Sequence, residues 1–126
     1  MAQPTNQPVP GYPQPRGEKY DMVWDHYGPS SYSNKFTSSG TGDVITNADM
    51  GVGGYERVDA TLGGFSQSGN YWVKPILTAA SNLGSAAPKF TLIWYAVSPA
   101  FGTIGNEVSN ATDLSAETVR LSASVV

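Results

Sequence analysis

The sequence predicts an all-β protein: an antiparallel, jelly-roll-like β-sandwich or a small barrel, preceded by an extended N-terminal arm. Short stretches of alternating apolar and polar residues recur along the 126 residues, and Gly, Ser and Pro separate them. No stretch of ten or more residues has helical spacing. Short strands with tight turns are typical of antiparallel sheets that pack face to face or close on themselves. We predict an arm over residues 1–17 and one sandwich domain over residues 18–126.

The first stretch, MAQPTNQPVPGYPQPRG, is predicted to be extended because five of the nine prolines lie in the first fifteen residues. Proline fixes φ and lacks a backbone donor, so it is excluded from helix interiors and central strands. Ordering a backbone residue costs roughly 1–2 kcal/mol, and this stretch has little apolar surface to bury. We therefore expect a neighbouring subunit to hold the arm. The candidate partner-binding residues are Pro4, Pro8, Pro10, Tyr12, Pro13, Pro15, Arg16 and Tyr20.

Three strands are expected before residue 50. KYDMVWDHY alternates, which places Met22, Trp24 and His26 on one face, and Gly-Pro then ends the strand. YSNKFT is predicted to be a weak second strand and DVIT a third, followed by a turn at NADMG.

Two further strands are expected in the middle of the chain. GYERVDATLGGF should place Val58, Ala60 and Leu62 towards the core. GNYWVKPILTAA contains Pro75, which confines it to a sheet edge or a bulge.

Two strands separated by a loop are expected in the last third of the chain. PKFTLIWYAV is apolar on both faces and predicts a central strand. SPAFGTIGNEVSNATDL has little periodicity and predicts a loop. ETVRLSASVV then alternates, with Val119, Leu121, Ala123 and Val125 facing inward.

The composition excludes several classes of function. Only 13% of the residues are charged, about half the usual share, and the net charge is −3. Without a Lys/Arg cluster, we expect no nucleic-acid partner. We expect no membrane partner either, since no run of eighteen apolar residues and no signal peptide occur, and synthesis in a cytoplasm is the working assumption. A surface poor in charge and rich in aromatic groups resembles an interface, although a simple extracellular β domain with a neutral surface is an alternative.

No pattern of residues indicates catalysis, a metal or a cofactor. His26 is the only histidine, there is no cysteine, and the adjacent Asp25 should point to the opposite face of the strand. We therefore expect a structural histidine and no enzyme. The carboxylates that could pair for glycoside chemistry have no supporting spacing; they are Asp43, Glu56, Asp59, Glu107 and Asp113.

The aromatic residues leave a carbohydrate-binding or adhesin-type sandwich open as the alternative function. Trp24, Trp72 and Trp94 could form a platform on which sugars stack. Trp94 lies in the most apolar segment and is predicted to be core, and the other two are expected in the core or in an interface. Exposed, coplanar tryptophans on one face would favour the platform.

Two stretches resemble a known group of proteins. GPSSY followed by GDVITNADMG, and later EVSNATDLSAETVRLSA, resemble the strand-and-turn pattern of small structural proteins found beside capsid genes in tailed bacteriophages. The resemblance covers residues 28–126. It implies a virion protein assembled in the host cytoplasm, a head decoration or cement protein or else a tail component, without catalytic residues. Its implied partners are the major capsid protein and copies of itself in a homo-oligomer.

Overall fold

The computed structural model describes residues 7–17, 19–46, 58–77, 89–98 and 103–126. These residues form ten strands in two antiparallel sheets that pack together, so the all-β antiparallel class is confirmed. In chain order the strands are β1 (Gln7–Pro8), β2 (Gln14–Arg16), β3 (Lys19–Tyr27), β4 (Asp43–Ile45), β5 (Val58–Leu62), β6 (Gly64–Phe65), β7 (Tyr71–Leu77), β8 (Phe90–Ser98), β9 (Thr103–Glu107) and β10 (Thr118–Val125).

Sheet A has the order β1-β3-β10-β5, and β2 also pairs with β3. Sheet B has the order β4-β8-β7-β6, and β9 also pairs with β8. The core lies between the two sheets, where the rings of Trp24 and Phe90 meet edge-to-face with their centroids 6.2 Å apart. The buried residues of this core are Met22, Trp24, Tyr32, Ile45, Val58, Val73, Phe90, Leu92, Trp94, Val108, Leu114, Val119, Leu121, Ala123 and Val125.

The strands with the clearest alternation have the predicted faces. β3 buries Met22, Trp24 and His26, and β10 buries all four of its predicted inward residues. β10 is the central strand of sheet A, between β3 and β5. β8 is the central strand of sheet B, as its apolar composition predicts.

The stretch 58–66 changes from one sheet to the other. β5 pairs with β10 in sheet A, and β6 pairs with β7 in sheet B immediately after Gly63. A Cβ on Gly63 would overlap the carbonyl oxygen of Val73 and come within 2.7 Å of Pro75 Cδ. Only glycine lets the chain pass this close to β7, and one side of the sandwich is closed by this crossing.

The predicted face of Leu62 is wrong. The register between β10 and β5 shifts between Ser124 and Val125, so that Val125 pairs with Val58 while Ser122 pairs with Leu62. A bulge inverts the alternation of the residues that follow it. Val58 is therefore buried, whereas Leu62 lies on the outer face and is 69% exposed.

Three other local predictions differ from the structure or lie partly outside it. YSNKFT is not a strand, because the Asn34 side chain accepts hydrogen bonds from the backbone N–H groups of Thr37 and Ser38 and folds the segment into turns. Residues 103–107, predicted to be loop, form β9 on the edge of β8. The turn predicted at NADMG lies outside the described residues, as do Glu56 and the residues before position 7.

Pro75 occupies an edge only locally. β7 lies between β8 and β6, but β6 pairs only with Val73 and Trp72. At Pro75 itself, β7 has one described partner strand, β8. The other side of β7 is an edge at this position, where the missing N–H of a proline is tolerated.

The N-terminal stretch contains extended segments, as predicted, and these pair within the chain. Within residues 7–17, β1 and β2 both pair antiparallel with β3 of the same chain, along its edge opposite β10. Pro8 and Pro15 lie in these edge strands, where a missing N–H is tolerated. Instead of standing apart from the domain, residues 7–17 complete the edge of sheet A.

Candidate functional site

An aromatic row crosses the outer face of sheet B. The strand register places Phe65 of β6 opposite Trp72 of β7, and Trp72 opposite Tyr95 of β8. Directly paired residues share one face of a sheet, and the alternate neighbours Val73 and Trp94 are in the core. We call Phe65, Trp72 and Tyr95 the aromatic row. Phe65 is 55% exposed, and the rings of Trp72 and Tyr95 are tilted by 42° with centroids 5.7 Å apart.

A cleft of about 670 Å³ lies at the β9 end of the row. Glu107 pairs with Tyr95 across the sheet and lines the cleft with it. On the other side stands Phe36, whose ring is 61% exposed. The remaining lining residues are small or polar and neutral: Asn34, Thr37, Ser38, Gly105, Asn106, Ser109 and Asn110.

Glu107 fixes the loop that carries Phe36. Its Oε1 accepts a hydrogen bond from the backbone N–H of Phe36 at 2.9 Å. Its Oε2 accepts bonds from the N–H of Lys35 at 2.7 Å and from the hydroxyl of Tyr32 at 2.6 Å. Burial alone would raise the pKa of Glu107, but these bonds to the charged form hold that pKa below its ordinary value.

Asn34 holds the same loop from the inside. Its side chain donates to the carbonyl oxygen of Val108 at 2.8 Å and accepts from Thr37 N–H and Ser38 N–H, each at 2.9 Å. Asn34 is 3% exposed, so the loop is held by a buried side chain as well as by Glu107. The exposed ring of Phe36 therefore stands on backbone held at several points.

Tyr32 connects the loop to the core. Its hydroxyl accepts a hydrogen bond from the backbone N–H of Trp94 at 3.2 Å while it donates to Glu107. Burial raises the pKa of Tyr32 and the bond to Glu107 raises it further, against a smaller lowering by Trp94 N–H. Burial and the charge of Glu107 raise the pKa of Tyr95 in the same direction.

A second polar cluster, around Asp43, joins β3, β4 and β8. Asp43 Oδ2 contacts His26 Nε2 at 2.6 Å and accepts a bond from Trp94 Nε1 at 3.0 Å. His26 is 3% exposed, and Asp25 points away from it to the outer face, where both carboxylate oxygens bind Arg120. The predicted opposite orientation of Asp25 and His26 is confirmed.

The tryptophans do not form the sugar platform that the sequence left open as an alternative. Trp24 and Trp94 are fully buried in the core. Trp72 alone is half-buried on an outer face, in the aromatic row. Phe36 and Phe65 are the most exposed of the described phenylalanine, tyrosine and tryptophan rings. Neither lies in a distinctive motif, so the sequence alone does not indicate them.

The candidate arm residues occupy varied places along the edge of sheet A. Pro10, Pro13 and Pro15 are exposed, and Tyr12 is half-buried. Tyr20 lies on β3 and is 41% exposed. Pro8 lies in β1 and Arg16 ends β2, while Pro4 lies outside the described residues.

Tyr12 and Gln14 line a second, smaller groove on the outer face of sheet A. This groove has a volume of about 370 Å³, and Leu62 and Thr61 of β5 line it too. Its other lining residues come from β3 and β10, so the groove crosses these strands between the N-terminal stretch and β5.

Among the described residues, no group of three or more His, Asp or Glu side chains could hold a metal ion. The described part of the chain also contains no helix with the length and apolar character needed to cross a membrane. Comparison of the chain with protein-family models, with curated proteins and with solved structures found no match.

Proposed function

We propose that this protein is a structural protein of a tailed bacteriophage virion, a capsid decoration protein that bridges and stabilises neighbouring shell subunits. The observation that carries the proposal is the surface. Large apolar side chains are exposed on a protein with only 13% charged residues. Exposed hydrophobic groups amid little charge are typical of interfaces. The exposed residues are Tyr20 (41%), Phe36 (61%), Leu62 (69%), Phe65 (55%), Leu77 (41%) and Ile104 (45%).

The resemblance in residues 28–126 directs the proposal to a virion. Such a protein acts without catalysis or a cofactor: it adds buried area between the major capsid protein and copies of itself, so that local opening of the shell becomes rarer. We place it in the virion, assembled in the host cytoplasm, with neither nucleic acid nor membrane as a partner.

The N-terminal stretch has a revised role in this proposal. In the single chain, residues 7–17 pair with the edge of β3 through five residue pairs, two from β1 and three from β2. The edge of β3 in a neighbouring copy offers the same backbone groups, and exchange of an identical element between copies is a low-cost route to oligomers. Linkage of copies by exchanged N-terminal strands is therefore part of the proposed mechanism.

Shell binding is the direct test of the function. Purified protein is mixed with empty bacteriophage shells that lack it, and occupancy is measured by sedimentation. Light scattering after size exclusion gives the number of copies in the isolated protein. Saturable binding with a fixed copy number per shell is the expected result, and wild-type protein that leaves the shells bare would refute the proposed function.

A disulfide lock tests the exchange separately. The chain has no cysteine, and Gln14 pairs with Asp21 across β2 and β3, where Cα atoms of paired residues lie about 4.5–5.5 Å apart. Gln14→Cys combined with Asp21→Cys should oxidise to a covalent dimer or larger ring on the shell if the strands are exchanged. Oxidation to monomers only, with undiminished occupancy, would remove exchange from the mechanism. The reduced double variant is the matched control.

A further inference from the structure

We infer that the outer face of sheet B binds a neutral oligosaccharide, which stacks on the aromatic row and enters the cleft beside Phe36. The site consists of Phe65, Trp72 and Tyr95 on three neighbouring strands, followed by the cleft between Glu107 and Phe36. This inference does not depend on the proposed virion role.

The row has the dimensions of an extended ligand. Neighbouring strands lie about 4.8 Å apart, so three paired rings and the cleft beyond them extend over more than about 10 Å. The 42° tilt between Trp72 and Tyr95 makes the surface twisted rather than flat. A chain of several sugar rings, each turned relative to the last, suits such a surface better than one flat aromatic ligand.

The Phe36 side of the cleft is organised before any ligand arrives. Two backbone N–H groups, of Lys35 and Phe36, are held by Glu107, and the next two are held by Asn34. A phenylalanine that only packs into the core is expected to be buried, whereas Phe36 is 61% exposed on a loop that Glu107 and Asn34 hold from two sides. A ring fixed in a solvent-facing position lowers the entropy cost of binding.

The lining chemistry selects a neutral ligand rich in hydroxyl groups. Among the described residues that line the cleft, Glu107 is the only charged one, and its two oxygens already accept three hydrogen bonds. Lys35 is the cation near Glu107, and its charge acts on that carboxylate. None of the described lining residues is cationic, so a phosphate or sulfate group in the cleft would meet a carboxylate without a counter-charge in the lining. Thr37, Asn106 and Asn110 instead offer hydroxyl and amide groups that can donate to and accept from sugar hydroxyls.

The placement also favours a sugar over an extended peptide. A peptide that adds to a sheet is bound by the unpaired backbone groups of an edge strand. The aromatic row runs across the faces of β6, β7 and β8, where only side chains are presented. Rings stack on the apolar faces of sugars without any backbone partner.

The test uses the isolated protein and four neutral hexasaccharides as probes: β-1,4-linked glucose, α-1,4-linked glucose, β-1,4-linked mannose and β-1,4-linked N-acetylglucosamine. Calorimetry measures affinity, and intrinsic fluorescence reports contact with the row, because Trp24 and Trp94 are fully buried and Trp72 is not. A sulfated hexasaccharide and a synthetic peptide of residues 1–17 are added as competing classes of ligand.

We expect at least one neutral probe to bind and to change the Trp72 emission. Phe36→Ser and Phe65→Ser should each weaken binding about fivefold to tenfold, the loss of one ring contact. Leu62→Ser is the matched control, since it removes an equally exposed apolar side chain from the outer face of sheet A and should bind as the wild type does. Equal thermal unfolding midpoints among these surface variants show that each is folded.

Three results would overturn the inference. The first is no detectable binding of any neutral probe at concentrations up to about 10 mM. The second is binding that Phe36→Ser and Phe65→Ser leave unchanged. The third is preference for the sulfated probe or the peptide over all four neutral sugars. None of these results bears on shell binding, which is measured with different reagents.

Discussion

Two adjacent glycines make the sheet crossing open to a sharp test. A Cβ at Gly63 would overlap the carbonyl oxygen of Val73, whereas a Cβ at Gly64 would have no heavy atom within 4 Å. Neither residue has a left-handed backbone, so alanine is compatible with the conformation at both positions. The substitutions Gly63→Ala and Gly64→Ala therefore differ only in what the added methyl group meets.

The expected loss of stability in Gly63→Ala depends on which atom the added methyl group overlaps. A side chain could rotate away, but Val73 O belongs to the backbone of β7, which is paired with β8 from Tyr71 to Leu77. Overpacking against such a strand costs typically 1–3 kcal/mol and more where the backbone has to move. We expect Gly63→Ala to lower the free energy of unfolding by about 3 kcal/mol. Gly64→Ala should be neutral or stabilise by up to about 1 kcal/mol, because it restricts the unfolded chain.

Urea unfolding followed by tryptophan emission measures both effects, since Trp24 and Trp94 become exposed only when the core opens. A loss of 3 kcal/mol should lower the urea midpoint by about 1–3 M. Pro75→Ala in the Gly63→Ala background should not restore stability, because the main overlap is with the backbone and not with the proline ring. A Gly63→Ala midpoint within experimental error of Gly64→Ala would refute the close crossing.

Four further predictions concern hydrogen bonds and charges. Glu107→Ala should lower the free energy of unfolding, measured in urea, by about 2–4 kcal/mol, because the buried Tyr32 hydroxyl and two backbone N–H groups lose their acceptor. The control is Glu117→Ala, which removes one exposed hydrogen bond and should have little effect on the free energy of unfolding. Because the pKa of Glu107 is lower in the folded protein, its charged form stabilises the fold at pH values above the unfolded pKa near 4.5, and this stabilisation is lost as the pH falls through the folded pKa. Glu107→Gln should therefore make the free energy of unfolding decline less steeply at acid pH. Because the pKa of Tyr32 is raised, stability should fall as pH rises above about 10, and a Tyr32→Phe variant that declines as steeply as the wild type would contradict this. Arg120→Ala breaks an exposed ion pair with Asp25 and should leave the urea midpoint unchanged within error, because exposed ion pairs contribute little to stability. A measurable fall in the midpoint would contradict this.

The sequence predicts strands correctly where burial determines the pattern of apolar and polar residues. β3, β8 and β10 have the predicted extents and faces because burying one face or both requires the apolar positions observed. The predicted face of Leu62 is wrong because a one-residue bulge in the backbone changes which face the following residues occupy, and the alternation of side chains in the sequence does not reveal a bulge. YSNKFT looked like a strand because alternation does not reveal that Asn34 will bond its own backbone neighbours.

The candidate site was beyond prediction from the sequence for a different reason. Phe36 and Glu107 are 71 residues apart, and the aromatic row draws on three strands whose order and register are tertiary features. Tryptophan is the residue type that the sequence offers for a sugar platform, but two of the three tryptophans fill the core, as predicted for Trp94. The most exposed rings come instead from phenylalanines in short, unremarkable segments.

The crossing at Gly63 also determines how the sandwich can come apart. Residues 58–62 are hydrogen-bonded to β10, and residues 64–65 are hydrogen-bonded to β7. Neither sheet can lose its strand on this side without pulling on the other, so amide protons of β7 and β10 should exchange with solvent together, in one cooperative opening. Partial openings are then confined to the opposite side, where β1, β2, β4 and β9 pair with their neighbours over only a few residues each.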